Sequence, residues 1–201
     1  RRTLVIGEDL GTVAPHIRRD LARARIFSYR VFYFERKAGN HFAAPEDYPR
    51  RAMACVTTHD LPTLAGYWQG RDLDLKKQLD LYPTPEAAAQ DAACRAQDRQ
   101  RLVEALVQRG LLPPDYAPPP DGCPEEIRRG VLAYLGESQA ALVEARLEDF
   151  LGITTQQNLP GTYDEHPNWR QKIPQTLEEM RLDPEIRGLA ATLGQARIKK
   201  I

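Results

Sequence analysis

The chain has 201 residues, above the usual single-domain size but below the roughly 250 of a complete eight-stranded α/β barrel, so one domain or part of a larger one is expected. Hydrophobic residues at 42% and charged residues at 28% exclude disorder of the whole chain, and 28 basic against 28 acidic residues leave no net field to recruit nucleic acid. No apolar stretch approaches the roughly 18 residues that span a bilayer, and acidic positions follow Arg1 too soon for a signal peptide, so a soluble, cytoplasmic chain with no membrane partner is expected.

Thr3 to Ile6 is a short apolar run that stops at Gly7-Glu8-Asp9, and Pro15 stands where a helix can begin, which predicts strand, acidic loop, then a helix to about Ala24. Tyr29 to Phe34, aromatic and β-branched, predicts a second strand before a polar loop carrying Gly39, Asn40, His41 and Pro45. Ala52 to Val56 is continuously apolar, as suits a strand covered on both faces, and ends in Thr57-Thr58-His59-Asp60-Leu61-Pro62. Pro85-Glu86 opens an Ala-rich stretch with Leu102, Ala105 and Leu106 at helical spacing, predicting a helix from about Glu86 to Arg109. Six prolines between Pro113 and Pro124 make a connector, and a further helix is expected from about Glu125 to Leu135.

From Ala141 to Leu151 the apolar positions fit a helix or a strand equally, and periodicity does not decide between them. Gln156 to Thr162 is rich in turn residues and side-chain amides and should be a loop. Leu177 to Leu193 returns to helical spacing, with Gly188 a weak point and Gly194 a stop. Strand-like runs separated by helical patterns favour an α/β architecture with parallel strands. The cysteines, Cys55, Cys94 and Cys123, are odd in number and without a CxxC pair or clustered histidines, which indicates neither a disulfide framework nor a zinc site. The chain begins at Arg1 and its only methionines are Met53 and Met180, so it is expected not to be an intact translation product.

Two loops carry candidate chemistry. Glu8, directly behind a buried strand, is a candidate general acid, because partial desolvation there would favour its protonated form; the alternative is an acidic loop in which Asp9 favours the positive end of the following helix. His59 and Asp60, behind the third strand, could bind sugar hydroxyls or stabilise developing positive charge; the alternative is a core histidine with a turn aspartate. For a metal the spacing is poor, since no HxH or HExxH pattern accompanies them. Two carboxylates near Tyr33, Phe34, Tyr67 and Trp68 fit glycoside chemistry, in which aromatic faces pack on sugar rings; Trp68 is a candidate platform or, alternatively, a packing residue.

Four blocks in order, IGEDLGTV (6–13), VTTHDLPTLAGYWQGRDL (56–73), LEDFLG (147–152) and QNLPGTYDEHPNWRQKI (157–173), resemble the C-terminal half of the 4-α-glucanotransferases, the amylomaltase or disproportionating-enzyme family. The resemblance implies the second half, about strands five to eight, of a (β/α)8 TIM barrel occupying residues 1–201, with a helical insertion at about 84–138 before the last strand. It implies Glu8 as general acid/base, Asp60 as the carboxylate that stabilises the transition state, and His59 as its neighbour in the donor subsite. Asn158, Pro160 and Gly161 would shape the glucan groove, with Asp9 and Trp68 as further substrate contacts. On this resemblance Leu142 to Leu147 is a strand with Glu148-Asp149 at its end.

The family's nucleophile is an aspartate in an Arg-x-Asp segment upstream of the EDLG block, and no position here matches it. The resemblance implies no metal or organic cofactor, a maltodextrin or other α-1,4-glucan as donor, and glucose or a glucan as acceptor. The other readings are a non-catalytic glucan-binding half-barrel lacking the nucleophile, or an α-amylase-type hydrolase; the NLPGT block favours the transferase. Half a barrel alone is expected to fold poorly, because its outer strands would lose their neighbours.

Overall fold

The computed structural model describes residues 3–198. Four short strands, β1 (Ile6–Gly7), β2 (Phe27–Val31), β3 (Ala52–Cys55) and β4 (Leu142–Glu144), form one parallel sheet in the order β1-β2-β3-β4. Helix α1 (Pro15–Arg23) returns the chain from β1 to β2, with Pro15 in the first turn, where its missing N–H costs nothing. Helices α2 (Leu64–Gln69), α3 (Arg71–Gln78), α4 (Pro85–Gln108) and α5 (Glu125–Gly136) all lie between β3 and β4. After β4 come α6 (Leu147–Phe150), a long loop, α7 (Leu177–Leu182) and α8 (Pro184–Ile198), which packs along α5. No helix among the described residues is long and apolar enough to cross a membrane.

Ala52, Ala54 and Cys55 of β3 are buried, whereas Tyr29, Met53 and Leu142, which share one face through the strand register, are half-buried. The core gathers Phe32, Trp68, Leu102, Leu106, Ile127, Leu132, Leu135 and Leu189. Helix α4 buries only Leu102 and Leu106. Trp68, singled out as a sugar platform, is therefore corrected to a packing residue: it is 1% exposed on α2, with the Arg99 guanidinium 4.6 Å above its ring.

The local readings hold for α1, β3, α4 and α5; the first strand, expected over Thr3–Ile6, is Ile6–Gly7, and others fail for physical reasons. The predicted second strand ends at Val31, and Phe32–Phe34 is a 3-10 turn. Phe32 stacks on Phe42 at 4.5 Å and Tyr33 on Tyr67 at 4.2 Å, and the Glu35 amide folds back onto the Val31 and Phe32 carbonyls, closing the turn in place of a sheet ladder. The strand expected to reach Leu147 stops at Glu144, and the chain turns into α6 so that Asp149 points into the core. The helix expected over Leu177–Leu193 is two helices, because Pro184 opens a new one whose first amides, Glu185 and Ile186, donate to Asp183 Oδ1. Gly188 and Gly194 lie inside α8. Helices α2 and α3 occupy a stretch to which the sequence reading assigns no element.

What positions the end of β3 is the segment that follows β4. Thr63 caps α2, accepting from the Gly66 amide at 3.0 Å, and its hydroxyl donates to the Ile153 carbonyl at 2.5 Å. A Cβ on Gly66 would come within 2.5 Å of the Thr154 carbonyl oxygen, so α2 can lie this close only with glycine there. The buried Asp149 accepts from the Leu64 amide at 2.8 Å. Burial pushes the Asp149 carboxyl up to about 6, against the opposing pull of the Leu64 amide and of Arg146.

Two outcomes follow from this junction. Gly66→Ala is expected to destabilise the protein by about 2 kcal/mol, since the obstacle is backbone rather than a movable side chain; urea unfolding that shifts by less than its error would show that the 150s segment yields. Because the folded Asp149 holds its proton to higher pH than its ordinary 3.8, its contribution to stability falls as pH rises from there to about 6 and is then constant. Asp149→Asn should therefore gain stability relative to the parent across that window and no further above it, read as Tm against pH; a parallel pair of curves would refute the assignment.

Candidate active site

All four strands run the same way, so their C-terminal ends share one edge, the edge at which α/β proteins assemble sites. Glu8 follows β1, Phe32–Phe34 follow β2, Thr57–Asp60 follow β3, and Arg146–Asp149 follow β4. Glu8 is exposed at this edge. With β2 between them, β1 and β3 lie about 10 Å apart.

The loop after β3 is fixed through its backbone. Thr57 Oγ1 donates to the Pro62 carbonyl at 2.7 Å, and Arg146 donates to the Thr58 carbonyl at 2.8 Å while its other terminal nitrogen pairs with Glu148 at 2.8 Å. Burial raises the Glu148 carboxyl, but hydrogen bonds from its own amide, Arg146 and Gln157 outweigh this and hold it below the ordinary range. Glu148 is thus a charged anchor for Arg146.

The long loop after α6 closes over the same edge. Asn158 Nδ2 donates to Asp60 Oδ1 at 2.6 Å, and the Asn158 amide donates to the His59 carbonyl at 3.1 Å. His59 Nε2 lies 3.4 Å from the same Asp60 oxygen, with both side chains about half exposed. Buried Gln156 sends its side-chain amide to the carbonyls of Asp60 at 2.9 Å and Asn158 at 2.6 Å. Leu159-Pro160-Gly161-Thr162 is a turn closed by the Thr162 amide on the Leu159 carbonyl, and Gly161, at φ 85°, supplies the left-handed conformation that a Pro-Gly turn requires. Asn168 locks this turn, accepting from the Leu159 amide at 2.9 Å and donating to Thr162.

The structure thus brings His59, Asp60 and Asn158 together and puts Pro160 and Gly161 on the exposed turn beside them. Asp9 is placed differently. At 3% exposure its carboxylate accepts from the Tyr29 amide at 2.9 Å and faces Arg18 and Arg30 at 3.4 and 3.6 Å, in the wall of a cavity of about 430 Å3 that Phe34 also lines. Sequence reasoning did not single out Arg146, Gln156, Asn168 or Trp169. Their places rest on hydrogen bonds and exposure across loops, which local spacing does not encode; the amides of Gln156–Thr162 and the block over 157–173 marked the region. Among the described residues, no group of three or more His, Cys, Asp or Glu could hold a metal ion.

The sequence profile described as 4-alpha-glucanotransferase matches residues 1–177. A 4-alpha-glucanotransferase of Haemophilus influenzae is 36% identical over 196 residues, covering 96% of this chain and 28% of that protein. One from Mycobacterium tuberculosis is 36% identical over 207 residues, covering 96% of this chain and 27% of the relative. The amylomaltase structure from Corynebacterium glutamicum superimposes with a TM-score of 0.82 at 28% identity, over 94% of this chain and 28% of that one. An amylomaltase from Streptococcus agalactiae, solved in complex with acarbose, shares the fold at a TM-score of 0.62 and 17% identity, over 95% of this chain and 31% of that one. The chain therefore spans a little over a quarter of the length of the relatives it matches. With the profile running through both site loops, the chain belongs to the 4-alpha-glucanotransferase family.

Proposed function

We propose that the protein containing this chain transfers a segment of a 1,4-α-glucan to the 4-hydroxyl of glucose or of another glucan by a retaining double displacement. The observation that carries the reading is the convergence of His59, Asp60 and Asn158 from two loops onto the strand edge where Glu8 also ends. Family membership and the likeness to the Corynebacterium amylomaltase support it. In this reading the sheet is the second half of a (β/α)8 barrel, with the half-buried Tyr29, Met53 and Leu142 turned toward the barrel interior.

A carboxylate nucleophile attacks the anomeric carbon as the bond from that carbon to the 4-oxygen of the leaving glucan breaks, and Glu8 gives its proton to that oxygen. Glu8 then takes the proton of the acceptor 4-hydroxyl, whose oxygen attacks the anomeric carbon and frees the nucleophile. No residue of this chain is assigned as nucleophile; it is placed in the part of the family's length that this chain does not span. Asp60, whose second carboxylate oxygen is left by Asn158 for substrate, stabilises the oxocarbenium-like state, and His59 binds the same sugar. Asp9 acts indirectly, holding Arg18 and Arg30 at the neighbouring cavity wall. Bound glucan covers the exposed Glu8 and excludes water, which favours transfer over hydrolysis.

In the intact protein, Glu8→Gln should lower transfer between maltooligosaccharides by about 10²- to 10⁴-fold while sparing glycosylation from a substrate with an activated leaving group; equal loss on both would remove Glu8 from the acid role. Asp60→Asn should depress both reactions, and unchanged turnover would exclude it from the site. Asn158→Ala, which removes the 2.6 Å bond to Asp60, should cost about 10- to 100-fold in kcat/KM with the fold intact by circular dichroism. A wild-type rate in that variant would show that Asp60 needs no partner. Glucan binding without transfer in the unmodified intact protein would favour the non-catalytic reading.

A further inference from the structure

Trp169 is 63% exposed, the reverse of Trp68, and its ring centroid lies 4.9 Å from that of His59 at 45°. Its backbone sits at φ 61°, a left-handed conformation that bulky side chains rarely adopt. Such strain persists where the surroundings enforce it, and here they do. The Trp169 amide donates to the Gln157 carbonyl at 3.0 Å, and neighbouring Asn168 is locked to Leu159 and Thr162. The loop thus holds a large apolar face in water, in an unfavourable backbone state, against the histidine that touches Asp60. Packing does not explain this placement, because the indole is not in the core.

From this we infer that Trp169 is the stacking platform for a glucosyl ring of the glucan bound beside Asp60. A pyranose presents a face of C–H groups to which an indole is complementary, and His59, tilted at 45° to it, closes a corner whose polar end is the Asp60 carboxylate. The corner takes a neutral sugar that is apolar on its face and polar at its rim. The inference rests on the glucan reading proposed above and assigns one more substrate contact within it.

The test uses the intact protein labelled with 5-fluorotryptophan, the Trp169 ¹⁹F resonance being identified by its loss in Trp169→Phe. Maltoheptaose should shift or broaden that resonance saturably, and calorimetry should give a Kd about tenfold weaker in Trp169→Ala. Trp169→Gly relieves the backbone strain, so it should keep or raise Tm while losing the same affinity. A merely structural tryptophan would lose stability in that variant and leave binding alone, and that result would overturn the assignment. Binding by calorimetry with an unmoved Trp169 resonance and an unchanged Kd in Trp169→Ala would overturn the platform and leave the glucan reading standing. No binding of maltoheptaose by the unmodified protein would overturn both.

Discussion

The hydrogen bond from the Leu64 amide to the buried Asp149 carboxylate joins positions 85 residues apart, and the geometry of the strand edge depends on it. It fixes the start of α2, which fixes where the loop from Thr57 to Pro62 must end. The same short segment adds the Thr63 bond to Ile153 and the Arg146 bond to Thr58, so one stretch after β4 holds the loop after β3 at three points. A carboxyl in that position is costly to bury with one oxygen unpartnered, and the upward shift of its proton affinity is how the fold accommodates the cost.

Around Asp60 the supports are neutral amides, and this choice has a chemical consequence. Asn158 and Gln156 orient the carboxylate and its backbone without supplying a full positive charge. An arginine or lysine in the place of Asn158 would hold Asp60 as firmly but would oppose the positive charge that develops on the sugar in the proposed reaction. The arginines stand one step back: Arg146 is neutralised by Glu148 and reaches the loop through a carbonyl, and Arg18 and Arg30 face Asp9.

On the far side of the loop after β3, aromatic stacking takes over the work of the sheet. Tyr33 stacks on Tyr67, whose hydroxyl donates to Asp98 at 2.7 Å, and Arg95 lies over the Tyr67 ring while paired with Asp72. Tyr33 also reaches the Pro62 carbonyl, so the turn after β2 braces the loop that carries His59 and Asp60. The helices between β3 and β4 are tied to the site through this stack as well as through the core.

By itself the sequence determined the parallel α/β plan, the helices at about Pro15–Ala24, Glu86–Arg109 and Glu125–Leu135, and the strand at Ala52–Val56, each within two residues of its place in the structure, because each carries its own periodicity or breaker residues. It also marked Glu8, His59 and Asp60 as candidates directly behind apolar runs, and Gln156–Thr162 as a loop through its turn residues and amides, although β1 itself is exposed. Only the tertiary structure decided which tryptophan meets solvent, because burial is a property of what packs around Trp68 and Trp169. It alone shortened β2 and β4, because the stacking of Phe32 on Phe42 and Tyr33 on Tyr67 and the inward turn of Asp149 depend on partners outside the local pattern. The pairing of Asn158 with Asp60 across 98 residues belongs to the same class, long-range contacts that local spacing cannot encode.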